Sequence, residues 1–386
     1  MDTKTKIWIM NGVMNAGGAE SLIMEIIRNK TDDIEFILVV HSANNDFHGI
    51  YDSEIRKLGI SIYYLPSVGA VGIKGYIKEF GKLVDEIGTP DIIHSHINAN
   101  GGIIAKAALQ NGIKNRIIHC HADIRFRGNV ISNIKNEIVL WLLKKYVNKY
   151  GNYYWACSDA AARRLFKKYK DAVIIPNIIN VDLYLNSKKK RERERKRIGV
   201  EEGDIIVGSV GRIAPIKNYE TTIQAIKKIV DLGVKVKYYI YGRVVDNEYY
   251  TFLCRMIEQL EIANNVYFMG NSKKINEKLA AFDVFVMPSI TEGFGIGALE
   301  AQAAGINTLI STGLPREVDM GLKIVKRISP KNVEEWSENI LNIGSEKCEM
   351  LDNNEIKAQF IKKGYDSKSK CNDIYEYYRQ MNSKSN

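Results

Sequence analysis

Along nearly the whole chain the hydrophobic pattern alternates between two kinds of run. Short apolar, β-branched runs at Ile7 to Met10, Phe36 to Val40, Ser61 to Leu65, Ile92 to His94, Arg116 to His121, Tyr153 to Ala156 and Val173 to Ile175 read as strands buried on both faces. Stretches of helical period near 52–58, 73–87, 101–110, 130–150 and 159–169 separate them. The rhythm pauses at Leu185 to Arg197, L-N-S-K-K-K-R-E-R-E-R-K-R, a solvated charged segment that opens a second domain. Strands then return near Ile205 to Val210, Lys237 to Tyr241, Val266 to Phe268, Val284 to Met287, Thr308 to Ser311 and Ile324 to Val325. Strand and helix alternating at this spacing predicts an α/β protein of two Rossmann-like, doubly wound parallel-sheet domains facing across a cleft. The expected domains are 1–182 and 183–364, with a helix over 365–386 completing the first. A ligand is expected between the strand ends of the two sheets.

Composition changes this picture little. With 386 residues, 45% apolar and 26% charged, the chain is too long for one ordinary core and reads as a soluble globular protein. No run approaches the roughly 20 apolar residues of a spanning helix, and M-D-T-K-T-K-I-W-I-M is too short in apolar character for a signal peptide. Cys120, Cys157, Cys254, Cys348 and Cys371 are odd in number and scattered, which predicts reduced thiols and a cytoplasmic protein.

The net charge of +10 is more telling once it is located. Between Lys114 and Lys170 thirteen Lys or Arg face Asp123, Glu137 and Asp159, a balance of 13 − 3 = +10. Over 130–150 the apolar Ile131, Ile134, Ile138, Trp141, Leu142 and Tyr146 are read as core contacts of an amphipathic helix that also carries Lys135, Lys144, Lys145 and Lys149. The surplus charge predicts peripheral docking of 114–170 on the anionic inner face of the cell membrane. Nucleic acid is not the expected partner, because two Glu interrupt the basic run near 190 and no nucleic-acid-binding motif is present.

Candidate chemistry concentrates at Met287 to Gly305, M-P-S-I-T-E-G-F-G-I-G-A-L-E-A-Q-A-A-G, where a strand passes into a helix. Gly293, Gly295 and Gly297 let the backbone turn sharply and offer free N–H groups to an anion or hydroxyl. Glu292 in the loop and Glu300 on the helix can touch two parts of one extended ligand. The second domain's first strand ends in V-G-R-I-A-P-I-K-N, where Gly211 allows a tight exit and Arg212 and Lys217 carry two cations. In the first domain, Gly17 and Gly18 form a second phosphate-type turn. Two imidazole pairs, His94 with His96 and His119 with His121, each line one side of an extended segment. No Cys or carboxylate completes a zinc spacing with them, so no metal is expected, and His121 is the candidate for contacting a reacting group. Jointly these features describe a sugar-nucleotide site with a diphosphate in the middle.

G-G-A-E (Gly17 to Glu20), I-P-N (Ile175 to Asn177), G-R-I-A-P-I-K-N (Gly211 to Asn218) and P-S-I-T-E-G-F-G-I-G-A-L-E-A-Q-A-A-G (Pro288 to Gly305) resemble the retaining GT-B glycosyltransferases of family 4, in the branch that builds bacterial capsular and exopolysaccharides. The resemblance implies a hexosyltransferase that takes a UDP-sugar donor and a glycan or polyprenyl-linked saccharide acceptor and needs no cofactor or metal. It implies that Glu292 binds the transferred sugar, helped by backbone groups around Gly293, Phe294 and Gly295, and that Glu300 accepts hydrogen bonds from the ribose hydroxyls. Arg212 and Lys217 would neutralise the departing diphosphate. Gly17 and Gly18 would face it, Gly211 and Gly242 would belong to the donor site, and His121 would approach the donor sugar or the acceptor. Three positions depart from the family pattern: Pro176-Asn177-Ile178-Ile179-Asn180, Ile306-Asn307 after Gly305, and the lone Gly242 of Tyr241-Gly242-Arg243. A sugar-nucleotide epimerase of the same layout and a non-enzymatic basic nucleic-acid-binding protein are the alternatives.

Overall fold

The computed structural model describes residues 4–15, 17–42, 49–122, 124, 130–272, 274–346 and 350–383; His48, Asp123 and Cys348 lie outside them. The chain divides into two compact units, Met1–Ile179 with Ser367–Asn386, and Asn180–Asp366.

The first unit contains β1 (Thr5–Asn11), β2 (Ile34–His41), β3 (Ser61–Leu65), β4 (Ile92–Ser95), β5 (Asn115–Cys120), β6 (Tyr153–Ala156) and β7 (Val173–Ile174), in the spatial order β3-β2-β1-β4-β5-β6-β7. Every pairing is parallel. The second unit contains β8 (Ile205–Val210), β9 (Val236–Tyr241), β10 (Val266–Gly270), β11 (Val284–Met287), β12 (Asn307–Ser311) and β13 (Val325–Ile328), in the order β10-β9-β8-β11-β12-β13, again all parallel. In each sheet the strand order reverses beside the first strand, at β1/β4 and β8/β11, and loops there diverge and leave room for a ligand.

Both faces of each sheet are covered, which is why the strands read as continuous apolar runs. Ile7 and Ile9 enter one core and Trp8 and Met10 the other, as the two-residue period of a strand requires. Val284 and Val286 are divided from Phe285 and Met287 in the same way. The C-terminal helix Ser367–Ser383 belongs to the first unit, where Cys371, Ile374, Tyr375 and Tyr378 join the core of Ile7 and Phe36. The rings of Tyr375 and Tyr378 lie 6.5 and 6.3 Å from that of Phe36.

Three expectations are corrected. The charged interval is solvated only in part: Lys188–Arg197 is a helix capped by Ser187, and while Lys188, Lys189, Glu192, Arg193, Lys196 and Arg197 are exposed, other charges of it are paired. Arg191 and Arg195 both pair with Asp283 just ahead of β11, and Glu194, 2% exposed, takes Lys278 at 3.3 Å. The helix Val130–Tyr150 is where predicted and Tyr146 packs against the core as expected, but most of its other predicted core contacts are not core. Only Leu140 and Val147 are buried, while Ile131 is 80% and Trp141 56% exposed, with Ile134, Ile138 and Leu142 also exposed. Finally, β5 ends at Cys120, so His121 is the first residue beyond it.

Candidate functional site

The second unit's candidate groups sit on the loops that leave β8 and β11. These strands are hydrogen-bonded neighbours, with Val284 opposite Val207 and Phe285 opposite Gly208, so the loops run side by side. Ile290 N–H donates to the Ile216 carbonyl at 2.9 Å, and Asn218 Nδ2 donates to the Pro288 carbonyl at 3.0 Å and the Pro330 carbonyl at 2.8 Å. Asn218 itself adopts a left-handed conformation, φ +55°, which asparagine tolerates better than most residues. The neighbouring Lys217 is thereby aimed across the gap: its Nζ donates to Glu292 Oε1 at 2.6 Å, and Ser289 Oγ donates to the same oxygen at 2.7 Å. The Lys217 and Glu292 side chains remain 13% and 16% exposed, so the pair is partly shielded from water and still reachable. Arg212, on the same loop as Lys217, is exposed.

Two glycines are dictated by this geometry. A Cβ on Gly242 would lie 1.8 Å from the Gly211 carbonyl oxygen, so only glycine lets the ends of β8 and β9 close on each other. Gly295 has φ +99° and caps the helix Ile296–Ala303, a conformation that would strain any side chain, and Leu314 would meet its Cβ at 2.7 Å. A Cβ on Gly293 would meet nothing within 4 Å, so the surface there is open. Phe294 stacks on Tyr365, with ring centroids 5.3 Å apart.

Glu300 lies in the second turn of that helix and accepts a hydrogen bond from Tyr184 Oη at 2.7 Å. Although part of the residue reaches the surface, protein packed around its carboxyl raises the pKa to about 7, and the Tyr184 hydroxyl only partly offsets this. Sequence reasoning missed Tyr184, because nothing in the pattern links residues 116 apart. Ser289 and Asn218 lie inside the quoted motifs, yet their roles become visible only as contacts.

In the first unit Gly17 caps the helix Gly18–Arg28 in an extended conformation, φ −163°, open to any residue. The space a side chain would fill is taken by the Glu20 carboxylate, whose Oε2 would lie 2.2 Å from a Gly17 Cβ. The anion at this helix start is therefore the protein's own, favourably placed in the macrodipole.

Four imidazoles stand together at the ends of β4 and β5. His94 Nε2 meets His119 Nδ1 at 3.1 Å, His96 Nδ1 meets His121 Nε2 at 2.8 Å, and His94 Nδ1 meets Tyr378 Oη at 2.7 Å. Burial depresses the pKa of all four, that of His121 to about 3, so the cluster is neutral at physiological pH. Ring nitrogens of His94, His96 and His119 lie within 4.8 Å of one another. Tetrahedral zinc with bonds of about 2.0–2.1 Å needs donors nearer about 3.4 Å apart. Both His94 nitrogens are already committed, so such an ion would have to displace existing hydrogen bonds.

Residues 190–366 match the family described as Glycosyl transferases group 1, and residues 16–183 match Glycosyltransferase Family 4. EpsF of Bacillus subtilis (strain 168) is 28% identical over 387 residues, covering 97% of this chain and 96% of the relative. The Escherichia coli UDP-Gal:alpha-D-GlcNAc-diphosphoundecaprenol alpha-1,3-galactosyltransferase is 23% identical over 57% of each chain. Among solved structures, that of Anabaena HepE in complex with UDP superposes with a TM-score of 0.72 at 18% identity, over 98% of both chains.

Proposed function

We propose that this chain, which belongs to the group 1 glycosyltransferases of family 4 and has the GT-B fold, transfers a sugar from a UDP-sugar donor to a lipid-linked saccharide in bacterial surface polysaccharide synthesis. The observation that carries the donor-side reading is the Lys217–Glu292 pair, held where two adjacent loops are stitched together at the strand-order reversal. In the reading, the bond from the anomeric carbon to phosphate oxygen breaks as a bond forms to the acceptor hydroxyl oxygen, whose proton passes to the departing diphosphate, and Lys217 and Arg212 take the charge that develops there. Glu292, released from Lys217, accepts hydroxyls of the transferred sugar, and Glu300 accepts the ribose hydroxyls in place of Tyr184. The open backbone at Gly293 and the helix start after Gly295 add neutral N–H donors. Two cations and a helix N-terminus suffice electrostatically, so the reaction is proposed to be metal-independent; retention of configuration is proposed on the family resemblance. Gly17 and Gly18 are assigned to the diphosphate once Glu20 moves aside, and His121 to the donor sugar or acceptor.

Uridine is favoured because HepE, of like fold, is solved with UDP, and a lipid-linked acceptor because the galactosyltransferase relative is named for one. Thermal shift with UDP, ADP and GDP at equal concentration tests the donor: UDP is expected to raise the melting temperature most, by mass action. Equal or absent shifts would sink the uridine assignment. A free epimerised sugar nucleotide formed without acceptor would instead favour the epimerase alternative.

The acceptor assignment extends to a membrane surface, though by a different route from the one charge alone predicts. No helix among the described residues is long and apolar enough to cross a membrane. On the helix Val130–Tyr150, however, Ile131, Ile134, Ile138, Trp141 and Leu142 form one outward stripe at three- and four-residue spacing, which continues into Lys145 and Lys149. Lys145 Nζ lies 3.4 Å from the centroid of the Trp141 ring. Apolar turns followed by cationic ones suit an interfacial helix whose first turns enter the acyl boundary while the lysines meet anionic headgroups. Flotation with phosphatidylglycerol-containing vesicles is expected to capture the protein. Ile134→Asp and Ile138→Asp should each weaken capture about tenfold without lowering the melting temperature, since both sites are exposed. Capture of the double variant at the wild-type level would reject the inserted face.

A further inference from the structure

We infer that the first unit carries a second, non-catalytic saccharide pocket, in which Tyr153 and Tyr377 present aromatic surface to a sugar ring and Asp171, Lys168 and Gln380 meet its hydroxyls. The inference goes beyond sugar transfer and rests on that reading only for its premise that the chain handles glycans.

The pocket is a consequence of a short edge strand. β7 is only two residues long, Val173–Ile174, and the chain reaches it through a single tight turn, Tyr169–Asp171, closed by the Asp171 N–H on the Lys168 carbonyl at 3.1 Å. A cavity of about 350 Å³ is left between that turn, the start of β6 and the last turns of the C-terminal helix, which contribute Tyr377, Gln380 and Met381. Ligand pockets generally span roughly 300–1,000 Å³. Tyr153 opens β6, and Cys120 pairs with Ala156 at that strand's other end, roughly 10 Å further on. His121 follows Cys120, so a sugar held here stands apart from the strand ends assigned to transfer.

Both tyrosines are half-buried, so part of each ring remains open. The Tyr377 ring is also held in place: Trp155, fully buried, meets it edge to face at 5.7 Å, and Tyr378 stacks on Trp155 at 5.7 Å. An aromatic surface already fixed in position costs a ligand little ordering on binding. Among the described residues the two phenol hydroxyls have no partner and the exposed Lys168 and Asp171 side chains pair with no opposite charge, while Gln380 commits only its Nε2, to Glu376 Oε1 at 3.1 Å. None of these groups has to be uncovered before it can be used. A pyranose presents C–H groups on its faces and hydroxyls that both donate and accept around its edge, and the pocket answers both. An acyl chain would strip water from the lysine and the carboxylate without pairing either. A nucleoside diphosphate would meet one cation offset by one anion.

Met381, 4% exposed, lines the pocket and reports on it. The full chain is labelled with 13C-methyl methionine, the Met381 signal is identified by Met381→Leu, and the probes are methyl glycosides of glucose, galactose and N-acetylglucosamine. At least one is expected to shift Met381 saturably at millimolar concentration, as suits a ligand of a single ring, while glycerol at the same concentration does not. Asp171→Ala and Tyr377→Leu should each weaken that binding about tenfold, the loss of one charged hydrogen bond or one aromatic contact. Asp171 is exposed, so its variant keeps the fold and separates lost binding from unfolding. Both variants should bind UDP as the wild type does. Silence at Met381 with all three glycosides, an equal shift with glycerol, or wild-type binding by the Asp171→Ala/Tyr377→Leu double variant would overturn the pocket. A shift with uridine and with no glycoside would overturn it in favour of a nucleoside. Glycosides binding at Met381 in a chain that binds no nucleoside diphosphate would leave the pocket standing and remove the transfer reading instead.

Discussion

Lys217→Met lowers the rate of sugar transfer about 100- to 1000-fold, the loss typical when one preorganised group facing a developing oxyanion is removed. The expectation needs separating from a stability effect, because Lys217 also holds Glu292 at 2.6 Å in a partly buried pair. Removing one member of such a pair leaves the other charge partly buried beside Ser289, and the second unit should melt earlier. The double variant Lys217→Met/Glu292→Gln has no stranded charge. Its melting temperature should return toward wild type while transfer stays down by at least the single-variant factor. If transfer recovers along with stability, the pair is structural and the leaving-group role is wrong. Single-turnover rates at saturating donor and acceptor, beside melting curves of the same preparations, decide between the two.

Glu300→Gln is expected to stabilise the protein and impair it at once. A carboxyl whose pKa stands at about 7 in the fold and 4.5 outside it takes up protons on folding. Wild-type stability therefore falls as pH rises from 4.5 to about 7, and above that the full cost is present. At 1.36 kcal/mol per pKa unit the cost is on the order of 3 kcal/mol, and glutamine does not incur it. Melting at pH 8 should rise by about 2–4 °C for each kcal/mol recovered, with no gain below pH 4.5. Binding runs the other way. Ribose hydroxyls donate best to the ionised carboxylate, so wild-type affinity for UDP-glucose, whose phosphodiesters do not titrate near neutrality, should weaken as pH falls through about 7. The variant should bind about 10- to 100-fold more weakly, the cost of losing hydrogen bonds to a charge, and with a flat pH profile. A variant that keeps both the slope and the affinity would remove Glu300 from the nucleotide site.

The alternation of buried strand runs with amphipathic stretches was enough to specify two parallel sheets, because a strand covered on both faces has to be apolar throughout. The strand runs at Ser61–Leu65, Tyr153–Ala156, Ile205–Val210 and Val284–Met287 coincide with observed strands to the residue. Two site glycines were legible for a related reason: Gly242 stands where backbone approaches backbone and Gly295 where the chain turns left-handed, and no other residue fits. The sequence misled where one pattern serves two ends. Exposed and buried helices share a period, so nothing at Ile131, Ile134 or Trp141 says whether a core or solvent lies opposite. Likewise Leu185 to Arg197 reads as solvated until Asp283 and Lys278 arrive from more than 80 residues away.

By itself, then, the chain determined its layers, its turns, the loops that carry Arg212, Lys217 and Glu292, and the helix that carries Glu300, since these depend on local periodicity and local backbone sterics. Tertiary structure alone decided which charges meet. Lys217 is matched with Glu292, and His121 with His96 and Asn98, by register between strands distant in sequence, and Glu300 with Tyr184 by the packing of two helices. Hydrogen bonding and desolvation, which set the protonation of these groups, depend on distance in space and leave no trace in residue order.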